Sequence, residues 1–566
     1  MSRVRFLITS ALPYINGVKH LGNLAGSLLP ADAYARFLRR EGEEVLFICA
    51  TDEHGAPAEI AAREAGMDVQ TYCDLQHGIQ RRIYERFGIA FDFFGRSSSP
   101  ENQELTQLIF QQLETHGWID ERVVEQTYSR IDARFLADRY IVGMCPHCGY
   151  TAARGDQCEH CTRLLVPSDL ICPRSAISGA DDLELRTTRE LVLRLSAMSD
   201  IVSEWVTKHQ ATWPPLTRQI AWKWLDEGLR DRSITRDLSW GIRVPRVGFE
   251  DKVFYVWFDA PIAYIATTRQ WAVSRGTPGE WESWWVDAGD VEYTQFMGKD
   301  NVPFHTVMFP AMLLGASRQW TTATTIKSVH WLDYYGGKFS TSRRRGVFTD
   351  QALELYPADY WRYFLLTQMP ETADTSFTWE LFADTINKDL AGMFGNFVNR
   401  VLRWCVSQFG AVVPHGGMSG GREERLYSDC ADTISRFRVS MRSLELRRAT
   451  RDLRGLWSLA NHYIQECAPW RLVRSDPDAA AMVIRTCLDL VRILAITCDI
   501  IMPTTARTVM NALHLTPIER EVPLSHVLDH PLPEGRIFDV IEPLIGKITT
   551  DDVVRLRRQF DPPQIL

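Results

Sequence analysis

The chain has 566 residues, 45% of them hydrophobic and 24% charged, and its net charge is −8. At roughly 150 residues per domain, this predicts a globular protein of about three or four domains. Twelve cysteines in so long a chain argue against a disulfide scaffold and favour a reducing cytoplasm. The first ten residues are too short for a signal peptide, and the longest apolar stretch (488–503) contains three charged residues, which argues against a membrane span.

The first 116 residues alternate short apolar runs with amphipathic helical spacing, the pattern of βαβ units on a parallel sheet. Val4–Ser10 and Val45–Ala50 are predicted strands, and Leu24–Arg40 is a predicted helix. This part of the chain is therefore expected to start an α/β domain.

The turn PYINGVKHLGN (13–23) leads from the first predicted strand to the first predicted helix. Backbone N–H groups at a helix start, next to a histidine donor (His20) and a glycine that allows close approach (Gly22), favour a bound phosphate. In an open parallel sheet, such a crevice lies at the carboxyl ends of the strands. The alternative is that His20 is only a structural residue of the first helical turn.

Residues 117–252 interrupt the α/β pattern with a segment that contains Cys, Pro and Arg. The stretch CPHCGYTAARGDQCEHC holds two Cys-x-x-Cys pairs, Cys145 with Cys148 and Cys158 with Cys161. Two such turns can close a tetrahedral site of four thiolates, so we predict one structural Zn²⁺ there. Because no coordination position stays open, this metal should fold the insertion rather than catalyse. Disulfides or free core cysteines are the alternatives.

Strand-like runs resume at Lys252–Phe258 and at Ala323–Val329, and from about residue 380 the pattern is almost wholly helical. The predicted fold class is thus α/β, a parallel sheet split by an insertion and followed by a helical domain. The negative net charge argues only weakly against nucleic acid, because a basic stripe on one face is enough to bind phosphates. Such a stripe, or merely a solvated helix face, is predicted at Arg436, Arg438, Arg442, Arg447, Arg448, Arg451 and Arg454.

A second polar loop, KFSTS (338–342), follows the last strand of the α/β part. HLGN together with KFSTS resembles the paired signatures, usually written HIGH and KMSKS, of class I aminoacyl-tRNA synthetases. Longer stretches are similar to the methionyl-tRNA synthetases: ALPYINGVKHLGN, CATDEHG, the four-cysteine insertion, YVWFDAPIAY, FMGKDNVPFH and APW. The resemblance extends from about Arg5 to at least residue 505.

This resemblance implies a Rossmann-type catalytic domain split by a zinc-binding connective peptide, then a stem-contact segment and an α-helical anticodon-binding bundle. The predicted boundaries are 1–116 and 253–325 for the catalytic domain, 117–252 for the connective peptide, 326–385 for the stem-contact segment and 386–566 for the bundle. The implied reaction activates L-methionine with ATP, accompanied by Mg²⁺, to methionyl-adenylate. The acyl group then passes to the 3′ end of tRNA(Met), including initiator tRNA. No appended domain follows the bundle, so a monomer is expected.

The resemblance also assigns residues to each ligand. The implied methionine pocket, whose aromatic cage suits a thioether, consists of Leu12, Tyr14, Asp52, Trp257, Ala260, Pro261, Tyr264, Asn301 and His305. Asp52 would pair with the substrate ammonium, and Tyr14 or His305 would donate to the sulfur. The implied ATP site comprises His20, Gly22, Asn23, Lys299, Asp300, Lys338, Ser340, Thr341 and Ser342, of which His20, Asn23 and Lys338 are the implied catalytic residues. The implied anticodon-binding residues are Asn396, Arg400, Pro469 and Trp470.

Three positions depart from the bacterial pattern of the family. Asn23 replaces the second histidine of HIGH, Thr341 replaces the second lysine of KMSKS, and Asn301 replaces an apolar pocket residue. We hypothesise that an arginine among residues 343–345 supplies the charge that Thr341 lacks, unless these arginines only touch the tRNA acceptor stem. Thr341 supports one alternative, a non-catalytic paralogue that binds tRNA or a partner. Asn301 weakly permits the other, an adenylating enzyme for a different apolar amino acid.

Overall fold

The computed structural model describes residues 4–137, 140–155, 158, 161, 163, 165, 167–341 and 345–560. Through residue 116, strands and helices alternate, which the apolar pattern of the sequence predicts. These elements are β1 (Arg5–Ser10), α1 (Leu21–Asn23, continued by Leu24–Leu28 and Leu29–Arg40), β2 (Glu44–Thr51), α2 (Ala56–Glu64), α3 (Val69–Arg86), β3 (Phe93–Arg96) and α4 (Pro100–Thr115). The middle part of α1, Leu24–Leu28, is π-helical, a distortion that often marks functional sites.

The insertion is built on a long antiparallel strand pair that carries a smaller sheet. Its strands are β4 (Ile119–Ser129), β5 (Arg134–Phe135), β6 (Ile141–Met144), β7 (Ala153–Arg154), β8 (Ile171–Ser175) and β9 (Leu183–Leu193), with a 3₁₀ turn at Pro167–Asp169. β4 pairs with β9 along its whole length, whereas β6, β7 and β8 form the small sheet next to the cysteines.

The chain then returns to the catalytic domain through several short elements. These are α5 (Ser199–His209), α6 (Pro215–Asp226), β10 (Arg232–Ser233), β11 (Thr235–Arg236), β12 (Val253–Phe254), α7 (Val256–Asp259), α8 (Ala263–Ser274), α9 (Glu282–Trp285), β13 (Val291–Gly298), α10 (Phe309–Gly315) and β14 (Thr325–Val329). Turns of 3₁₀ helix occupy Leu195–Met198, Gln210–Thr212 and Lys299–Asn301, and Phe304–Met308 is π-helical.

The predicted strand at Lys252–Phe258 is wrong beyond Phe254. β12 pairs with β11 over two residues only, and α7 begins at Val256. Val253, Phe254, Val256 and Phe258 are all buried. A short apolar run that is buried on every side has no periodicity that separates a strand from a helix.

Five strands form one parallel sheet in the order β14-β13-β1-β2-β3. From β1 the chain proceeds outward to β2 and β3, and after the insertion it adds β13 on the other side of β1. The strand order therefore reverses between β1 and β13, which is where open α/β sheets bind their ligands. Both faces of the sheet are covered: Ile8 belongs to the core shared with α1 and the C-terminal helices, and Leu7 to the core on the opposite face.

The rest of the chain is a small sheet followed by helices. The elements are β15 (Leu332–Tyr334), β16 (Gly337–Lys338), α11 (Thr349–Leu355), α12 (Ala358–Thr367), β17 (Thr375–Phe377), α13 (Trp379–Thr385), the π-helical Ile386–Gly395, α14 (Asn396–Phe409), α15 (Gly421–Arg442), α16 (Leu446–Cys467), α17 (Pro469–Leu472), α18 (Pro477–Cys498), α19 (Pro503–Ala512), α20 (Pro517–Arg520), the 3₁₀ turn Leu524–His526 and α21 (Thr550–Phe560). Among the described helices, none has the length and apolarity that crossing a bilayer requires.

The predicted stripe of free arginines is mostly a set of ion pairs. Arg438 and Arg442 reach across to Glu41 and Glu43, at 2.6 and 2.5 Å, beside the turn between α1 and β2. Three others have carboxylates within 4.0 Å: Arg436 with Asp452, Arg448 with Glu445 and Arg454 with Asp389. The pattern along one helix does not show carboxylates that a distant segment supplies. Two of the seven arginines therefore attach the bundle to the sheet domain, and three others pair within the helical part.

A buried ion pair also joins the two regions. Asp32 on α1 and Arg362 on α12 are both 0% exposed and lie 2.7 Å apart. The Arg362 Nε–H donates to the carbonyl of Ile501, between α18 and α19, at 2.7 Å, and the Ala90 N–H donates to Asp32 Oδ1 at 2.7 Å. Burial of a charge is tolerated only with such complete pairing, so this contact fixes the bundle against the catalytic domain.

Candidate active site

A cavity of about 530 Å³ opens at the carboxyl ends of β1, β2 and β13. All nine residues predicted for the methionine pocket line it, and so do six of those predicted for ATP: His20, Gly22, Asn23, Asp300, Lys338 and Thr341. Lys299 and Ser340 lie next to lining residues, and Ser342 is outside the described residues. A second cavity, about 560 Å³, lies within the insertion between β4, β9 and the small sheet, and none of the predicted site residues lines it.

Aromatic rings form one wall of the cavity. Trp257 stacks on Phe304 with 3.5 Å between ring centroids and 7° between planes, and the Tyr14 ring meets Trp257 edge-on at 6.4 Å. Phe304 was not among the predicted residues, although it lies inside the stretch FMGKDNVPFH. Such a wall matches an unbranched, polarizable side chain that carries a thioether.

His305 is a neutral hydrogen-bonding residue in this wall. Complete burial lowers the pKa of His305 to about 4. Its Nδ1 lies 2.9 Å from the carbonyl oxygen of Asn301, which can only accept, so Nδ1 carries the proton. Nε2 therefore accepts from the Tyr264 hydroxyl at 3.0 Å. In this tautomer His305 has no N–H for a sulfur, which leaves Tyr14 of the two predicted donors.

Asp52 follows β2 and is 4% exposed. Its Oδ1 has no hydrogen-bond partner in the described part of the chain, and no cation there lies within ion-pair distance of it. The buried acids next to it do have partners: Asp259 lies 2.6 Å from His54, and Glu53 lies 2.9 Å from Arg96. Burial, and then the charges of Asp259 and Glu53, raise the pKa of Asp52 well above its usual range. A buried carboxyl that lacks an ion-pair partner and has one free oxygen suits a ligand that brings an ammonium.

The two signature segments meet at His20. Its ring stacks on Phe339 of the KFSTS loop with 5.0 Å between centroids, and its backbone pairs with Phe348. Burial and the charge of Lys19 lower the pKa of His20 to about 3, so the imidazole is neutral, and its Nδ1 lacks a partner among the described residues. The Asn23 side chain accepts the His20 backbone N–H at 3.2 Å. Residues far apart in sequence thus form one end of the cavity.

Two lysines flank a tryptophan that the sequence reasoning missed. Lys338 Nζ and Lys299 Nζ lie 4.0 and 3.9 Å from the centre of the Trp331 ring, and Lys299 also pairs with Asp374 at 2.8 Å. Trp331 lines the cavity. No sequence motif predicts that Trp331 packs between two lysines, so only the tertiary structure shows this contact.

The KFSTS loop closes on itself at its base. Ser340 and Arg345 exchange backbone hydrogen bonds of 3.1 and 2.9 Å, and the Arg345 guanidinium donates to the carbonyl of Tyr334 at 2.9 Å. Arg345 therefore holds the loop rather than pointing a free charge at a ligand. Arg343 and Arg344 lie outside the described residues, so the hypothesis stays a prediction for them.

The four predicted zinc ligands cluster in the insertion. Sγ–Sγ distances are 3.8 Å for Cys145–Cys161 and 3.6 Å for Cys148–Cys158, and all four sulfur atoms lie within 4.8 Å of one another. A tetrahedron with Zn–S bonds of about 2.3 Å needs sulfur atoms about 3.8 Å apart. The cluster is therefore consistent with a structural zinc.

The residues predicted to read the anticodon lie in the bundle, away from the cavity. Asn396 at the start of α14 is exposed, and Arg400 one turn later donates to Asn461 of α16 at 3.4 Å. Pro469 is buried at the start of α17, whereas Trp470 beside it is 40% exposed. An aromatic side chain this exposed at a helix start can stack on an unpaired base.

Comparison with known proteins agrees with this arrangement. The family described as "tRNA synthetases class I (M)" matches residues 6–402, and the family described as "Anticodon binding domain of methionyl tRNA ligase" matches residues 413–564. The chain belongs to the methionyl-tRNA synthetase family.

Members of this synthetase family resemble the chain over nearly its full length. Methionine–tRNA ligase 1 of Acaryochloris marina is 55% identical over 558 residues, which cover 98% of this chain and 100% of that protein. The methionine–tRNA ligase of Streptomyces avermitilis is 50% identical over 98% of this chain and 99% of its own length. A solved structure of Mycobacterium tuberculosis methionyl-tRNA synthetase in complex with methionyl-adenylate superposes with a TM-score of 0.78 at 25% identity, covering 96% of this chain and 99% of that one.

Proposed function

We propose that this chain is a methionine–tRNA ligase that activates L-methionine with ATP and transfers it from methionyl-adenylate to the 3′ end of tRNA(Met), initiator tRNA included. One observation carries the proposal: a single cavity joins an aromatic cage, and a buried carboxyl with one oxygen free of partners among the described residues, to both signature segments. Membership of the family supports it. The reaction belongs with translation in the cytoplasm, and we propose that the protein acts there as a monomer.

In the first step, the cage of Trp257 and Phe304 would hold the methionine side chain, with Tyr14 donating to the sulfur. Asp52 would accept the ammonium and so point the carboxylate at the α-phosphate of ATP. Two reactants that are already held in place lose no further translational and rotational entropy on the way to the transition state. Such positioning can lower the activation free energy by roughly 7–11 kcal/mol. Leu12, Ala260, Pro261, Tyr264, Asn301 and His305 would complete the pocket.

ATP would lie between the two signature segments. A neutral His20 can donate to a phosphate oxygen, and Gly22 leaves room for the phosphate because a Cβ there would lie only 3.1 Å from His20 Nδ1. Lys338 and Lys299 would place positive charge where negative charge develops, and Asn23, Asp300, Ser340, Thr341 and Ser342 would complete the site. Mg²⁺ would enter with ATP, bound mostly by phosphate oxygens, and would supply further charge neutralisation.

The tRNA would contact both ends of the molecule. Asn396, Arg400, Pro469 and Trp470 would read the anticodon, and stacking of one base on Trp470 is worth about 1–3 kcal/mol. The Zn²⁺ held by Cys145, Cys148, Cys158 and Cys161 would stabilise the insertion without taking part in the reaction.

ATP–pyrophosphate exchange with methionine, norleucine, leucine, isoleucine and valine tests the proposed function. Methionine should be the best substrate, with norleucine only modestly worse because hydrophobic differences of this size are worth roughly 1–3 kcal/mol. Charging of tRNA(Met) should then follow. Activation of leucine or isoleucine in preference to methionine, or binding of tRNA without any exchange, would contradict the proposal.

A further inference from the structure

Lys19 is a buried lysine in the wall of the active-site cavity. It directly precedes His20, lines the cavity and is only 5% exposed. Its carbonyl oxygen accepts hydrogen bonds from the backbone N–H and the hydroxyl of Thr349, at 2.9 and 2.8 Å. The backbone at Lys19 is thereby fixed to the start of α11. Lysine is almost never buried to this extent without a partner for its charge.

The partner for that charge is missing in the described residues. Lys19 Nζ donates one hydrogen bond, to Asn16 Oδ1 at 2.7 Å. An ammonium has three N–H donors, so two are left for a ligand, and no carboxylate of the described chain lies within ion-pair distance. Burial lowers the pKa of Lys19 to about 7, and only the more distant charge of Asp52 opposes this effect.

The groups around Lys19 indicate which charged groups a ligand in this cavity would carry. Lys19, His20 and Asp52 line the same cavity, and the charge of Lys19 lowers the pKa of both other groups. Asp52 Oδ1 and His20 Nδ1 also lack partners among the described residues. A buried anion, a buried cation and a neutral imidazole, each open to one cavity, complement a zwitterion whose carboxylate is next to a phosphate.

We propose that Lys19 is a further catalytic residue, which donates hydrogen bonds to the anionic oxygens where the methionine carboxylate meets the α-phosphate of ATP. This inference rests on the proposed function. A carboxylate oxygen forms a bond to the α-phosphorus. The bond from this phosphorus to the pyrophosphate oxygen breaks, and pyrophosphate leaves with the electron pair. Lys19 transfers no proton in this step; it stabilises the charge shared by the reacting oxygens.

Lys19 also compensates for the second lysine that the signature loop lacks at Thr341. Thr341 lines the same cavity and offers no positive charge, and Arg345 is engaged with the carbonyl of Tyr334. A cation on the strand side of the cavity needs no loop movement to reach the reacting atoms. Lys19, in the turn that follows β1, thus supplies the positive charge that Thr341 does not.

Three variants separate this role from a structural one. Lys19→Met removes the charge at similar volume, Lys19→Arg keeps it, and Asn16→Ala removes the one internal partner but leaves the ammonium in place. Tryptophan fluorescence gives the affinities without ATP for methionine and for methioninol, in which an alcohol replaces the carboxylate. Methioninyl adenylate, which has the α-phosphate but no carboxylate carbonyl, isolates the phosphate contribution.

We expect Lys19→Met to weaken binding of methionine, of methioninyl adenylate, or of both by roughly 10- to 100-fold, the range for a charged hydrogen bond. Methioninol should bind within about twofold of wild type, since it lacks both groups. Exchange should fall by at least the same factor in Lys19→Met and recover in part in Lys19→Arg. Exchange by Asn16→Ala should lie between that of Lys19→Met and wild type, because this change frees the ammonium from its partner without removing the charge. The ligand that loses affinity identifies the oxygens that Lys19 contacts.

Two outcomes would overturn the inference. An equal loss of affinity for methionine and methioninol in Lys19→Met would make Lys19 a structural residue. Unchanged binding and exchange in this variant would leave Lys19 without a role. If Lys19→Met does not fold, exchange by Lys19→Arg at or below the level of a folded Lys19→Gln decides against the inference. Wild-type protein that fails to activate methionine would instead refute the proposed function, so the two failures are distinguishable.

Discussion

Replacing Asp52 by Asn tests how the cavity holds an amino acid. The change keeps the shape of a side chain that is 4% exposed but removes the carboxylate that would pair with the substrate ammonium. Truncating one partner of a buried charge pair costs about 2–5 kcal/mol, which is about 30-fold to several thousand-fold in affinity. We therefore expect methionine binding to weaken at least 30-fold, while ATP alone binds as in wild type.

The pH dependence gives a sharper test, because the pKa of Asp52 is raised in the free protein. Below that pKa the carboxyl is protonated and cannot pair with an ammonium. Affinity for methionine should hence fall about tenfold per pH unit as the pH drops through the raised pKa of Asp52. If Lys19 also contacts the substrate, its pKa of about 7 makes the affinity decline again as the pH rises through that value. Burial, Asp259 and Glu53 raise this pKa, whereas the backbone N–H of His54 and the charge of Lys19 lower it, so all five factors set where the fall begins.

Isothermal titration with methionine between about pH 5.5 and 8.5, without ATP, measures both effects. Asp226→Asn makes the same chemical change at an exposed position outside the cavity and should bind like wild type. If Asp52→Asn keeps wild-type affinity, the ammonium is held elsewhere. If it weakens binding but retains the wild-type pH dependence, a group other than Asp52 titrates.

Three further expectations concern the insertion, the bundle and their attachment. Freshly purified protein should contain about one zinc ion per chain by mass spectrometry of metals, and Cys148→Ser with Cys158→Ser should lose it; metal-free wild type would contradict this. Trp470→Ala should lower tRNA charging by roughly 10-fold, one lost stacking contact, and leave pyrophosphate exchange unchanged; equal loss in both assays would mean that Trp470 is structural. Arg362→Met should destabilise the protein by about 1.5–3 kcal/mol in urea unfolding, because it removes the charged hydrogen bonds to Asp32 and to the Ile501 carbonyl while Arg36 still pairs with Asp32 at 2.9 Å; a change below about 1 kcal/mol would show that the pair is not needed.

The arginine run of α15 and α16 shows where sequence reasoning reaches its limit. Spacing along the chain predicted a basic face, but Arg438 and Arg442 bind Glu41 and Glu43 at the sheet. Likewise the apolar run after Lys252 predicted a strand that the structure ends at Phe254. For the arginines, the deciding contacts come from a segment that is distant in sequence. For the apolar run, burial on every side removes the periodicity that separates a strand from a helix.

The sequence by itself determined the elements whose signal is local. Apolar periodicity predicted the parallel sheet and the helical C-terminal part, and two Cys-x-x-Cys pairs predicted the S4 cluster, since each motif bends its own chain into shape. The signature segments and the stretches around them were enough to identify the family and to predict nine residues that all line one cavity.

Only the tertiary structure decided the charge and protonation of those residues. Burial makes His20 and His305 neutral, and the Asn301 carbonyl fixes the tautomer of His305. Within the described residues, Asp52 Oδ1 has no hydrogen-bond partner and Lys19 has no ion-pair partner, although both line one cavity. A pKa depends on desolvation and on charges a few ångströms away, and these come from the ends of β1, β2 and β13 meeting at the point where the strand order reverses. Nothing in the order of residues along the chain records those distances, which is why Lys19 becomes a candidate only in the folded protein.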